Sequence, residues 1–382
     1  MLVAKFVKHI KKVNMKPKII AMYLPQFHQI PENDEFWGEG FTDWVTVKNA
    51  KPLFEGHRQP RVPLNDNYYD LSLKENVAWQ TKLAKDYGID GFGIYHYWFN
   101  NDKNILTKPA EIILENKDIE MDFFFAWDNA NWKRSWSNVA GNDWAPAMDK
   151  KPKKGEPIIL IPYILGEEND WENHYNWLRP YFLDKRYIKK DNKPIYIIFN
   201  FDAKIGRMCA HWDKLAKQDG FDGMYFIFRY GEQYNIPKEE HVFKYEPLFS
   251  GWNKIPPIYV RAINKLRRLL GIKYGPRKFN YDEVWKAILE NTRNERRCDF
   301  FSGAFVTYDD TPRRGLRGTV VTESTPEKFK NYLSQLVGIC KQQGKEYVFL
   351  TAWNEWGEGA YLEPDKDVGM GYLEVIKRVI NE

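Results

Sequence analysis

Ile19-Ile-Ala-Met-Tyr-Leu-Pro-Gln-Phe-His28 decides the fold. Its first half is apolar on successive residues rather than on alternate ones, the pattern of a strand covered on both faces. It ends in Leu24-Pro25-Gln26-Phe27-His28. A doubly wound nucleotide-binding sheet usually places a glycine-rich phosphate turn there. Seven runs of the same kind follow, at 91–99, 121–128, 157–165, 194–201, 224–230, 301–308 and 347–353.

Helical patterns separate several of these runs. Ser72-Leu-Lys-Glu75 reads as a capping box, opening a helix that runs to Tyr87 and stops at Gly88. The segments 170–182 and 207–218 are amphipathic, the second closed by Asp219-Gly220. Thr325-Pro326 reads as an N-cap and first-turn proline. Phe329, Leu333, Leu336 and Cys340 form the buried stripe of that helix, and Gly344 ends it. About eight strand–helix alternations in 382 residues predict an α/β fold, a (β/α)8 TIM barrel with long βα-loop insertions. The insertions fall at 29–69 and 245–278. Residues 1–17 read as a basic extension and 18–382 as one catalytic domain.

Composition narrows the function. The chain is 43% hydrophobic and 29% charged, which excludes a disordered chain. Its 15 Trp and 23 Tyr favour a cleft with flat walls, and sugars stack their C–H faces on such rings. A net charge of +5, from 57 basic and 52 acidic residues, does not point to nucleic acid. Cys209, Cys298 and Cys340 are far apart and fit neither a disulfide framework nor a zinc site, so no metal and no cofactor is expected. The basic start lacks the continuous apolar stretch of a leader, which predicts a cytoplasmic location. The stretch 259–278 carries seven Lys and Arg and no acid, with Ile263, Leu266, Leu269 and Leu270 at helical spacing. It reads as a solvated helix face, with weak contact to an anionic membrane surface as the second reading.

Barrel enzymes keep their chemistry at the C-terminal ends of the strands. Those ends carry His28, Tyr95-His96-Tyr97-Trp98, Trp127-Asp128-Asn129, Asn200, Arg229-Tyr230, Tyr308-Asp309-Asp310 and Asn354. These side chains are candidates to bind sugar hydroxyls. The sharpest motif is Thr351-Ala-Trp-Asn-Glu355-Trp-Gly-Glu358-Gly359. Glycosyl transfer through an oxocarbenium-like transition state needs two carboxyl groups, one of them with a raised pKa. Glu355 and Glu358 are the candidates, with Trp353 and Trp356 as apolar wall. Gly357 and Gly359 would permit the tight backbone path. The alternative is a surface loop with solvated glutamates. Strand-end Asp128, Asp309 and Asp310 read equally as helix caps, and Arg229 as a structural salt bridge. The segment from Trp37 to Trp44 reads as an aromatic lid or as packing on the barrel rim.

Four motifs carry a resemblance. Ala21-Met-Tyr-Leu-Pro-Gln-Phe-His28, Phe36-Trp-Gly-Glu-Gly-Phe-Thr-Asp-Trp44, Gly91-Phe-Gly-Ile-Tyr-His-Tyr-Trp98 and Trp353-Asn-Glu-Trp-Gly-Glu-Gly359 resemble the WbsX-like polysaccharide-biosynthesis family. That family is often labelled glycosyltransferase and is similar to the endo-α-mannosidases of glycoside hydrolase family ninety-nine. The resemblance implies a barrel with a metal-free retaining site and an oligosaccharide or polysaccharide substrate. It implies Glu355 as the base that activates the sugar 2-hydroxyl and Glu358 as acid/base, with His96, Tyr97 and Trp98 lining the pocket. Three stretches depart from the family pattern, one of them the strand-four end Ile161-Pro-Tyr-Ile-Leu165. Tyr308-Asp-Asp-Thr-Pro-Arg313 stands where Trp-Asp-Asn-Thr-Pro-Arg is common, and Ala130 replaces a glutamate in Trp127-Asp-Asn-Ala-Asn-Trp132. The alternatives are a nucleotide-sugar-dependent glycosyltransferase and a glycan-binding barrel without turnover. No open nucleotide-binding fold favours the transferase.

Overall fold

A computed structural model describes residues 15–133, 159–253 and 275–382. Eight parallel strands form its centre: β1 (Lys18–Tyr23), β2 (Gly91–Asn100), β3 (Phe123–Trp127), β4 (Lys193–Ile198), β5 (Tyr225–Arg229), β6 (His241–Phe243), β7 (Phe300–Phe305) and β8 (Tyr347–Thr351). Each pairs with its sequence neighbour, and β1 pairs with both β2 and β8. The sheet is therefore closed, a TIM barrel as predicted.

Strand composition explains the closure. All but the first residue of β1 are buried, because one face meets the barrel interior and the other meets helices. Inside, Phe349 of β8 lies 6.0 Å from Phe124 of β3 and 5.3 Å from Phe243 of β6. Glycines make room for such rings. A Cβ on Gly93 would sit 2.9 Å from Met22 Sδ and 3.1 Å from the Phe124 ring. A Cβ on Gly303 would come 2.1 Å from the Lys244 carbonyl oxygen.

The helices are α1 (Pro31–Trp37), α2 (Asp43–Lys48), α3 (Lys74–Asp86), α4 (Lys108–Glu115), α5 (Glu168–Leu183), α6 (Ala203–Gln218), α7 (Tyr281–Asn294), α8 (Thr311–Arg314), α9 (Pro326–Gln342) and α10 (Gly371–Asn381). The Thr325 side chain caps α9 through the Lys328 N–H, and Gly344 follows it at φ 66°, both as expected. Two helix starts differ from the sequence reading. Helix α6 begins at Ala203, because Asp202 accepts from the N–H groups of Lys204 and Ile205. Helix α3 begins at Lys74 without a capping box, because Asp70 Oδ1 already accepts from the Ser72 N–H at 2.7 Å and folds that segment into a turn.

One strand assignment is corrected. The run 157–165 is not a barrel strand: Ile159–Ile161 pairs antiparallel with Trp132–Lys133. Its place is taken by β6, three residues long, reached from β5 through turns rather than a helix. A three-residue strand gives no periodic signal. The basic stretch 259–278 lies mostly outside the described residues. Its end joins the strand Arg277–Asn280, paired with Thr319–Thr322. Residues 1–14 of the N-terminal extension also lie outside them. Among the described residues no helix is long and apolar enough to cross a membrane.

The barrel interior sets a packing test. Gly303→Ala should destabilise the protein by about 3 kcal/mol, because backbone rather than a flexible side chain must move. Gly338→Ala, in α9 with nothing within 4 Å of the new methyl, should stabilise it by roughly 0.5–1 kcal/mol. Urea unfolding midpoints of the two variants check both signs.

Candidate active site

The last strand delivers the acidic motif. Past the end of β8, the Asn354 side chain mimics a strand edge. Its Oδ1 accepts from the Leu24 N–H at 2.7 Å and its Nδ2 donates to the Leu24 carbonyl at 2.9 Å. Asn354-Glu355 then pairs antiparallel with Ala360-Tyr361, around a helical turn at Trp356–Glu358. Both expected glycines are needed. A Cβ on Gly357 would lie 2.5 Å from Arg313 Nε and 2.6 Å from Asp43 Oδ2, and Gly359 sits at φ 55° against the Asp309 backbone. The motif is thus a tight hairpin packed on charge.

Arg313 is the centre of that charge. It stands on α8, just beyond β7. Its Nη1 donates to Glu358 at 3.0 Å, and its Nη2 meets Glu355 at 3.4 Å and Asp43 at 3.0 Å. Its Nε reaches the other Asp43 oxygen at 3.3 Å. Asp43 enters from the long loop after β1. Arg313, Asp43 and Glu355 are buried, and Glu358 is the most open of the four. Burial opposes the guanidinium charge, but the three carboxylates outweigh it and hold Arg313 protonated. Burial pushes Glu355 up to about 8. Arg313 works against this, while Glu358 and Asp43 add to it. One cation does not neutralise three acids, so Glu355 keeps its proton at neutral pH.

Tyrosines and one aspartate complete the wall. Side chains alternate along β2, so Tyr95 and Tyr97 face inward. The Tyr95 hydroxyl lies 2.5 Å from that of Tyr245, which follows β6. Burial, together with nearby Glu355, raises the pKa of all three phenols and keeps them protonated. Tyr308 is also buried, with Glu358 raising its pKa further. Burial raises Asp128 to about 6 despite the Arg229 charge.

Other candidates lie elsewhere. His96 and Trp98 face outward: His96 Nε2 lies 2.8 Å from His174 Nε2, and Trp98 stacks on His174 at 4.4 Å, both against α5. Trp127 donates to the Trp98 carbonyl and packs on the same histidine. Burial lowers His96 to about 3, so it stays neutral. Trp356 is buried, donating to Glu363 at 2.6 Å and stacked on Tyr361. Trp353 is buried as well. Asn129 and Asn200 bind each other's backbones, and Arg229 donates to Asn200 Oδ1 at 3.0 Å. Tyr230 packs on Phe249 and Phe300. Asp309 is satisfied by His57, Gln59 and Thr311. Buried His28 feels Asp70 and Glu111 rather than the glutamate pair. The sequence reading did not single out Arg313 or Asp43 as site residues, and it left the role of Tyr245 open. The first two stood inside quoted motifs, and Tyr245 follows the strand too short to read. Among the described residues no cluster of His, Cys, Asp and Glu is arranged to hold a metal ion.

The fold is that of a TIM-barrel protein, with two glutamates and one arginine at the mouth of the barrel. Residues 19–376 match the family described as "Glycosyltransferase WbsX", and the chain belongs to that family. It is 26% identical over 370 residues to "Uncharacterized protein WxcX" of Xanthomonas campestris pv. campestris strain B100, and equally to its counterpart in strain ATCC 33913. Those matches cover 95% of this chain and 49% of each relative, so the chain spans about half their length. Among solved structures it is similar to a "Glycoside hydrolase-like protein", with a TM-score of 0.57, 13% identity, and 96% and 94% of the two chains covered. It is also similar to the GH99 endo-alpha-mannosidase from Bacteroides thetaiotaomicron, with a TM-score of 0.54, 12% identity, and 95% and 96% covered.

The raised pKa of Glu355 has a stability consequence. The folded state holds a proton at Glu355 that the unfolded chain releases near its ordinary value. Stability contributed by this group is therefore lost as pH rises from about 5 to 8. Glu355→Gln keeps the shape without the ionisation. Its stability relative to the parent protein should grow across that window, as measured by urea unfolding at a series of pH values.

Proposed function

We propose that the chain is a retaining glycoside hydrolase or transglycosylase acting on α-linked glycans. The observation that carries this reading is the pair of carboxyls on neighbouring nitrogens of one buried guanidinium, the deeper one raised to about 8. Glu355 is the base for the sugar 2-hydroxyl. A sugar hydroxyl is a weak acid, so a base with a raised pKa takes its proton more readily than an ordinary carboxylate does. The 2-oxygen attacks the anomeric carbon, and the bond to the leaving oxygen breaks as Glu358 protonates that oxygen. Water, or an acceptor hydroxyl, then gives its proton to Glu358 and opens the anhydro-sugar at the anomeric carbon. Glu355 returns its proton to the 2-oxygen. Two displacements retain the configuration. Glu358 is the more open of the pair, which suits a group that exchanges protons with an incoming water. Tyr95 and Tyr245 are neutral phenols near Glu355, and Asp128 is our candidate to bind a sugar hydroxyl.

The family description supports a second reading, a glycosyltransferase in surface-polysaccharide assembly, which would require a nucleotide sugar. A panel of α-linked oligosaccharides and aryl glycosides, assayed with and without nucleotide sugars, separates the two. Cleavage without nucleotide is expected, with retained configuration by NMR. Glu355→Gln and Glu358→Gln should each lose about 10²–10⁴-fold in rate. Turnover only with a nucleotide sugar would remove the hydrolase reading. The pH profile tests the roles: with Glu355 as base, kcat/KM of the parent protein climbs as pH approaches 8. A fall over the same range would make Glu355 the acid instead.

A further inference from the structure

A buried histidine–aspartate pair stands beside the glutamate hairpin. His57 Nε2 lies 2.8 Å from Asp309 Oδ2. Such a pair suggests proton transfer, but the ring has no nitrogen to spare. Its Nδ1 accepts from the Leu53 N–H at 3.0 Å, so Nε2 carries the proton and donates to Asp309. The imidazole also stacks on Phe54 at 4.3 Å. Gln59 donates to the same carboxylate oxygen at 2.7 Å, and its Oε1 accepts from the Arg61 N–H at 3.3 Å. The other Asp309 oxygen accepts from the Thr311 N–H at 3.1 Å and from its hydroxyl at 2.6 Å. Burial pushes the Asp309 carboxyl up, but the bonds from His57, Thr311 and Gln59 outweigh it and hold the carboxyl below its ordinary value.

The main chain of the same residue holds Glu358. The Asp309 N–H donates to the Glu358 carbonyl at 2.7 Å, and the Thr307 hydroxyl donates to the Gly359 carbonyl. Asp309 therefore bonds the 29–69 insertion through its side chain and the hairpin through its backbone. We propose that Asp309 is a positioning residue for Glu358, clasped from the insertion by His57 and Gln59. A general acid works only within hydrogen-bond reach of the leaving oxygen, so the place of its backbone matters. The acid/base role of Glu358 rests on the proposed function, whereas the coupling of insertion to hairpin is read without substrate.

Hydrogen–deuterium exchange of the full chain tests the coupling. All four partners of the Asp309 carboxylate are donors, so either orientation of the amide in Asp309→Asn sets donor against donor. Exchange at 354–361 should speed up by about tenfold or more, with α10 unchanged. His57→Phe should act in the same direction, and it carries the test if Asp309→Asn does not fold. His57→Gln, whose amide can still donate to Asp309, should retain the parent pattern. Unchanged exchange at 354–361, or equal acceleration in α10, would overturn the proposal. Kinetics read the consequence for Glu358. In Asp309→Asn, kcat/KM should fall about 10²-fold with an α-linked disaccharide, whose leaving group needs a proton. The fall should be far smaller with a dinitrophenyl α-glycoside, whose leaving group needs none. Equal losses on the two substrates would make Asp309 a structural residue only. The two proposals fail separately. A parent protein that cleaves neither substrate removes the glycosidase reading, while exchange still judges the clasp. Cleavage that needs Glu358 but is untouched by Asp309→Asn removes the positioning role alone.

Discussion

One guanidinium holds three segments of the barrel mouth together. Asp43 comes from the loop after β1, Arg313 from the turn after β7, and Glu355 and Glu358 from the hairpin after β8. None of the carboxylates could be buried alone. Moving an ion out of water costs several kcal/mol even after relaxation, and a partner repays this only with good geometry. Here Asp43 takes the bidentate fork, so the glutamates receive only single contacts. Burial raises Glu355, and its single contact with Arg313 offsets only part of that rise.

A second network supports the hairpin from beneath. Glu363 is buried and accepts from Tyr69 and Gln80 at 2.7 Å and from Trp356 at 2.6 Å, while Tyr23 donates to Gln80. Burial lifts Glu363 to about 7, and its three donors restrain that rise. Trp356 is therefore fixed at both ends, by its N–H bond to Glu363 and by the rings of Tyr361 and Trp44. With Asn354 clamped on Leu24, the residues on either side of Glu355 are both immobilised. The proposed role of Glu355 as base would need its carboxyl held to a fraction of an ångström, and rigid support on both sides serves that.

The barrel was legible because its strands are long apolar runs, as in Ile20 to Leu24 and Phe123 to Trp127. β6 was not, since His241-Val-Phe243 is too short to show a period. At the site, Glu355, Glu358, Gly357 and Gly359 could be read from local chemistry. Directions along a strand were harder. His96 and Trp98 share a motif with Tyr95 and Tyr97, yet strand alternation sends them to opposite faces. Arg313 could not be ranked at all, because its partners lie 42 to 270 residues away. Charge compensation across such distances is a property of the closed barrel and leaves no local pattern.

From β2 and from the end of β6, across the barrel, Tyr95, Tyr97 and Tyr245 reach the cleft as neutral phenols whose protons are secured by burial. Arg313, which follows β7 beside β6, is already engaged by Asp43. In the proposed reaction, an oxocarbenium-like centre beside Asp43, Glu355 and Glu358 would meet more acidic groups than guanidinium, which lowers the cost of its positive charge.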